Sequence, residues 1–185
     1  LKFYFVTKIQ NEYDENEYDN TPMIFTFNQH HKEAESQGRE MFDTALAQAK
    51  TLFPDLFQVP TPATDERLRQ KRFEAVSLTM SVVLWHLKNT HQTSTAQAAH
   101  DAMFQSFDRS LREGGVGDIG VSHKIKNFAQ AFYGRLDRYT KAIDRNSDTE
   151  LAIGLQKNMG LGQDDADECA QNMLTWAKEI AQNHK

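Results

Sequence analysis

The stretch 122–143 reads SHKIKNFAQAFYGRLDRYTKAI and is the clearest indication of the fold class. Its apolar residues recur every three or four positions, a spacing that places them on one side of an α-helix. They are Ile125, Phe128, Ala129, Phe132, Leu136, Tyr139 and Ile143. A helix with one apolar face buries that face against other elements, so the stretch predicts a helix packed on a core.

Similar spacing on both sides of this stretch predicts further helices. Capping boxes begin at Ser94 and Ser147, Ser122 is a suitable helix cap, and two glycines at 114–115 mark a helix end. Pro54 ends the first helix, and the proline-rich run that follows is interpreted as a connector. The predicted helices cover about residues 31–53, 65–88, 94–114, 122–143, 147–160 and the chain from 164 or 165 onward. We therefore expect a mainly α, compact and non-repetitive domain of about six helices.

The N-terminal residues have a different pattern, typical of β-strands. Residues 1–9 alternate, with Leu1, Phe3, Phe5, Thr7 and Ile9 on one side, and residues 23–27 (MIFTF) are a second β-prone run. The connection between them carries five acidic residues and no Lys or Arg. A two-stranded hairpin alone is marginal in water, so we expect a β-hairpin over 1–30 that packs on a helical domain over 31–185.

Composition excludes several classes of protein. The 185 residues suit one domain, and a net charge of −5 with a pI near 5.8 argues against a protein that coats nucleic acid. Cys169 is the single cysteine, which excludes a disulfide framework and a cysteine-based zinc site. The most apolar run, 82–85, is far too short to span a membrane, so we expect a soluble or peripheral protein.

No catalytic pattern is present in the sequence. There is no G-x-S-x-G motif, and no two histidines have the i, i+4 spacing of a helical zinc site. Asp108 and Glu113 can be explained by pairing with Arg109 or Arg112 on the same helix. We therefore predict no enzymatic activity, no cofactor and no metal. A small-molecule enzyme would require a deep pocket with polar groups near residues 115–122.

The glycine-rich run 114–120 (GGVGDIG) precedes a predicted helix, which is a common place for phosphate binding. The run lacks the Lys and Ser or Thr of a phosphate-binding loop, follows a helix rather than a strand, and contains Asp118, which would repel an anion. We interpret it as a tight turn. Gly115, Gly117 and Gly120 would permit positive φ and close packing there.

Charge is distributed unevenly along the chain. Residues 109–145 contain eight basic against four acidic residues, whereas residues 1–40 contain four basic against eight acidic ones. A cationic face would suit an anionic membrane surface, a ribosome or a charged partner, although ordinary solvated helix faces also explain it. Gly134 costs a helix about 1 kcal/mol, so we expect a close helix contact there or a groove floor flanked by Tyr133 and Arg135.

Residues 104–121 (FQSFDRSLREGGVGDIGV), followed by residues 131–135 (AFYGR), resemble the ubiquinol–cytochrome c chaperone family. The resemblance extends over about residues 42–160, and the predicted hairpin lies outside it. It implies an all-helical, non-enzymatic assembly factor that binds newly made cytochrome b during biogenesis of respiratory complex III.

The resemblance also implies a place and a set of partners. Such a protein would lie on the cytoplasmic or mitochondrial matrix side, peripheral to the inner membrane, with a small helical partner and the ribosome as further contacts. No direct recognition of nucleic acid is expected. Residues of this chain assigned to the partner surface are Arg109, Arg112, Tyr133, Arg135 and Arg138. Two alternatives stay open, namely pairing of Arg109 with Asp108 and Asp118, and a generic helical interaction module with another partner.

Overall fold

The computed structural model of the protein describes residues 23–58 and 65–183, with side chains described over 31–58 and 65–182. These residues form seven helices and no strand. The helices are α1 (Met23–Leu52), α2 (Pro54–Phe57), α3 (Glu66–Asn89), α4 (Thr93–Glu113), α5 (Asp118–Asp144), α6 (Asp148–Met159) and α7 (Gln163–Asn183). The predicted helical class is thus confirmed for the described residues, and the seventh helix is the short α2 within the predicted connector.

The predicted second strand of the hairpin, residues 23–27, is wrong, because these residues are the first turns of α1. Five β-prone residues are a weak preference that context overrides. Extending an existing helix adds a hydrogen bond per residue without the cost of new nucleation. The first predicted strand, residues 1–9, lies outside the described residues, and the division at residue 30 stays a prediction. The compact unit described below begins at Glu33.

Helix α3 is the centre of this unit. Every residue from Phe73 to Val83 is buried, and α3 contacts α2, α4, α5, α6 and α7. A helix buried on all sides must have small or apolar residues all round, and here Ala75, Ser77 and Ser81 occupy the positions between the large side chains. The sequence predicted only one apolar stripe on this helix, because serine and alanine on the other faces give no such signal.

Aromatic side chains hold α4 and α5 against α3. Phe73 of α3 stacks on Phe128 of α5, with ring centres 4.5 Å apart, and contacts Phe107 of α4 at 5.6 Å. Phe104 and Phe132 meet edge to face at 6.0 Å. Edge-to-face and offset aromatic pairs contribute about 0.5–1.5 kcal/mol each beyond their buried area. This cluster fixes the relative positions of the helices that carry the candidate partner residues.

The predicted helix ends agree in part with the structure. Ser147 accepts a hydrogen bond from the Glu150 N–H at 3.2 Å, as its capping box predicts, and Gly160 ends α6 with a left-handed φ of 69°. The box at Ser94 is wrong, since α4 begins one residue earlier after Gln92 without a side-chain cap. Helix α5 begins at Asp118 rather than at Ser122, because Gly117 has the extended conformation of an N-cap.

Within residues 23–58 and 65–183, no helix is both long and apolar enough to cross a membrane.

Candidate partner-binding surface

Arg135, predicted at the partner surface, is bound inside the helical unit. Its Nη2 donates to Glu74 Oε1 at 2.5 Å, and its Nε donates to the other carboxylate oxygen. The two side chains are only 18% and 2% exposed. The guanidinium also donates to the Ala131 carbonyl at 2.9 Å and lies 5.3 Å above the Phe73 ring. Arg135 therefore joins α5 to α3 by a two-point ion pair, and only a small part of its side chain is exposed.

Arg112 joins the end of α4 to the start of α5. Its Nε donates to Asp108 Oδ2 at 2.6 Å, and its Nη1 donates to Asp118. The hydrogen bonds that Arg112 donates to Asp108, the larger cause, and to Asp118 raise the pKa of Arg112 above its ordinary value. The alternative prediction named the same two carboxylates but assigned them to Arg109. That arginine is exposed, and no ion pair of Arg109 is present among the described residues.

The glycine-rich turn is a tight connection between α4 and α5. Gly115 has a φ of 78°, a conformation that residues with a side chain adopt at a cost. A Cβ at Gly120 would lie 2.9 Å from Val116 Cγ1, whereas a Cβ at Gly117 would meet nothing within 4 Å. Asp118 at the first position of α5 complements the positive end of the helix dipole.

Tyr133 is partly exposed, at 39%, and belongs to a chain of polar contacts. Its hydroxyl lies 3.1 Å from His100 Nε2, and His100 Nδ1 lies 3.1 Å from Asp101 Oδ1. The His100 and Tyr133 rings also stack, with centres 5.8 Å apart. Burial, followed by the charge of Asp101, raises the pKa of the Tyr133 hydroxyl. No local sequence pattern predicts this contact, because His100 and Tyr133 belong to different helices.

The close helix contact predicted at Gly134 is not found in the described part of the chain. A Cβ at this position would meet nothing within 4 Å, and the residue is exposed in the middle of α5. The packing explanation for Gly134 is therefore wrong, and the alternative of a groove floor stays a prediction.

Replacing Gly134 with alanine is expected to raise the free energy of unfolding by about 0.5–1 kcal/mol, because alanine restricts the unfolded chain and no neighbour obstructs its methyl group. Urea denaturation followed by circular dichroism measures this change. A destabilised variant would mean that the backbone at Gly134 is packed against another part of the protein.

The five candidate residues do not share one face. Arg135 meets α3, Tyr133 meets α4, and the Arg138 side chain lies beside Gly154 of α6, with its Cδ 3.2 Å from the Cβ position of that glycine. The predicted cationic face is also largely neutralised. Five of the eight basic residues in 109–145 form ion pairs: Arg112, Lys124, Arg135, Lys141 and Arg145. Arg109, Lys126 and Arg138 have no ion pair among the described residues.

Sequence reasoning missed Glu74, which proves to be the partner of Arg135. A signal was present, because Glu74 is the one charged residue in the stretch 73–85 of a predicted core helix. A carboxylate in such a position almost always has a buried cationic partner.

Cys169 is buried, with 7% of its surface exposed. Burial, followed by the negative charge of Glu168, raises the pKa of its thiol to about 12. Because the thiolate is the reactive form, we expect a thiol reagent at mildly alkaline pH to label the folded protein far more slowly than the chain in denaturant. Comparable labelling rates in the two states would contradict the burial of this side chain.

No group of three metal-ligating side chains is present in the described ranges.

The family model described as Ubiquinol-cytochrome C chaperone matches residues 66–182, from the first residue of α3 to the last but one of α7. The chain belongs to the ubiquinol–cytochrome c chaperone family. The match includes α3, α4 and α5, the Arg135–Glu74 pair and the glycine-rich turn, so the resemblance in the sequence is confirmed.

A solved structure extends the comparison beyond the family model. The crystal structure of the Cbp3 homologue from Brucella abortus is similar to 86% of this chain and to 89% of its own, with 30% sequence identity and a TM-score of 0.65. A search of curated proteins gives no match to this chain.

Proposed function

We propose that this protein is an assembly chaperone of ubiquinol–cytochrome c reductase, respiratory complex III, and that newly made cytochrome b is its client. The observation that carries the proposal is the family match over residues 66–182, which includes the central helix and four of the helices around it. The likeness to the Cbp3 homologue over 86% of the chain supports the same role. Contact with the inner face of the membrane, a small helical partner and the ribosome belong to the proposal.

Among the candidate residues, the exposed ones that form no ion pair among the described residues are assigned to the client or partner surface. Arg109, Tyr133 and Arg138 are accessible on α4 and α5. Arg112 and Arg135 position these helices through their ion pairs and contribute indirectly. An exposed charge at the edge of an interface affects the rate of association and the choice of partner more than the stability of the complex.

Affinity purification of the tagged full chain from gently solubilised membranes of its own cell tests the proposal. We expect mass spectrometry to show enrichment of cytochrome b, and lower enrichment with the variant Arg109→Glu/Arg138→Glu. The matched control Lys157→Glu/Lys178→Glu changes the net charge equally at exposed positions of α6 and α7 and should retain the client. Circular dichroism establishes that all variants are folded.

Recovery of other proteins without cytochrome b would contradict the proposed client. The protein would then be a helical interaction module with a different partner. If the Arg109→Glu/Arg138→Glu variant and its control captured equal amounts of cytochrome b, Arg109 and Arg138 would not belong to the client surface. The proposed assembly role would be unaffected.

A further inference from the structure

An open groove of about 500 Å³ lies among α2, the start of α3 and the first turns of α7. Its volume lies in the range of about 300–1,000 Å³ that is usual for ligand clefts. Apolar side chains from two stretches of the chain form its walls: Leu52, Phe53, Leu56, Met159 and Leu161. Met159 belongs to the core and the other four are packed against it, so core packing holds the walls in place.

Carboxylates line this apolar groove together with a single lysine. Asp55, Asp165 and Glu168 are all exposed, and the cation among the lining residues is Lys71. In the part of the chain that the structure describes, neither Lys71 nor any of these carboxylates belongs to an ion pair within 4.0 Å. The lining therefore has a negative balance. Asp55 accepts a hydrogen bond from Gln58 Nε2 at 3.0 Å, which leaves Asp165 and Glu168 as the carboxylates available to a partner.

Some carboxylates elsewhere in the unit are paired with cations, whereas the three that line this groove have no ion pair among the described residues. The paired carboxylates are Glu66, Glu74, Asp108, Asp118, Asp137 and Glu150. The charge of Glu168 also contributes to the raised pKa of Cys169, which lies at the groove. An occupant of this groove must therefore combine apolar surface with positive charge.

We infer that the groove binds the inside-facing end of a membrane helix, where apolar residues give way to lysine and arginine. Loops on the inner side of membrane proteins carry an excess of Lys and Arg next to the apolar span. The apolar end would contact Leu52, Phe53 and Leu56, and the basic flank would pair with Asp165 and Glu168. This inference rests on the proposed function, which supplies a membrane protein as the client.

Two other occupants fit the groove less well. A wholly apolar segment would cover the carboxylates without pairing them, and burial of an unpaired charge is costly. The N-terminal residues of the chain itself carry five acidic residues between Glu12 and Asp19, so they would be repelled.

Fluorescence anisotropy with the full chain and two labelled peptides tests the inference. Both peptides have the same helical leucine stripe, followed by lysines in one and by glutamates in the other. We expect the lysine peptide to bind about tenfold more tightly at low salt. This preference should be lost or inverted in Asp165→Lys/Glu168→Lys and reduced in the milder Asp165→Asn/Glu168→Gln.

A matched control is available on α1 and α4. Asp43→Lys/Glu113→Lys changes the net charge equally, and both residues are exposed away from the groove, so this variant should keep the preference. Equal binding of the two peptides by the unmodified protein would overturn the inference. So would a lysine preference that survives in Asp165→Lys/Glu168→Lys.

The peptide measurement and the client purification can fail separately. A lysine preference that depends on Asp165 and Glu168, without recovery of cytochrome b, would keep the groove and reject the client. Recovery of cytochrome b without any peptide preference would keep the client and reject this groove as its recognition site.

Discussion

Replacing Arg135 with alanine is expected to lower the free energy of unfolding by about 3–5 kcal/mol, because it leaves the buried Glu74 carboxylate without its cation. Glu74 is 2% exposed, and among the described residues its one further side-chain donor is Gln70, at 2.7 Å. A domain of this size is stable by about 5–15 kcal/mol in total. Urea denaturation followed by circular dichroism measures the loss.

Two variants separate the buried ion pair from general effects of losing an arginine. Arg138 is exposed on the same helix, so Arg138→Ala should change stability by no more than about 0.5 kcal/mol. The double variant Glu74→Leu/Arg135→Leu should recover much of the lost stability, since apolar residues can replace a buried pair at little cost. A loss below about 1 kcal/mol in Arg135→Ala would contradict the buried pair. Because Arg135→Ala is expected to be strongly destabilised, weak capture of the client by this variant would reflect its loss of folded structure rather than the loss of a direct contact.

The second large effect is expected at Gly38, where α1 crosses α4. A Cβ at Gly38 would lie 2.4 Å from Ala98 Cβ and 2.6 Å from the Ala99 backbone nitrogen. These atoms belong to a helix and cannot move aside as a flexible side chain would. Gly38→Ala should therefore lower the free energy of unfolding by about 1–3 kcal/mol, although alanine favours the helix itself by about 1 kcal/mol.

Hydrogen exchange locates the effect of Gly38→Ala, while urea denaturation gives its size. We expect faster exchange for amides of α1 near residue 38, because α1 must move away from α4 to accommodate the methyl group. Gly134→Ala is the matched control, since it is the same substitution inside a helix with open space around it. Equal stability changes at the two glycines would show that α1 and α4 are not in close contact.

Local sequence patterns were sufficient to predict most of the helices. The stripe in 122–143 predicts which side of α5 is buried, and Phe132, Tyr139 and Ile143 are indeed in the core. The Ser147 box and Gly160 mark both ends of α6, because capping depends on residues that are neighbours in the chain. The motif residues 104–121 and 131–135 were specific enough to identify the family, which the match over residues 66–182 confirms.

The pairing of charged side chains required the tertiary structure. Glu74 and Arg135 are 61 positions apart, and His100 and Tyr133 are 33 positions apart, so no local pattern connects them. Periodicity shows which side of a helix is buried, but it does not show which helix lies against that side. Because the sequence does not show that α3 lies beside Arg135, this residue was predicted to face a partner. The packing of α5 on α3 places it against Glu74. The groove with its unpaired carboxylates has the same origin, since its walls come from residues that only folding brings together.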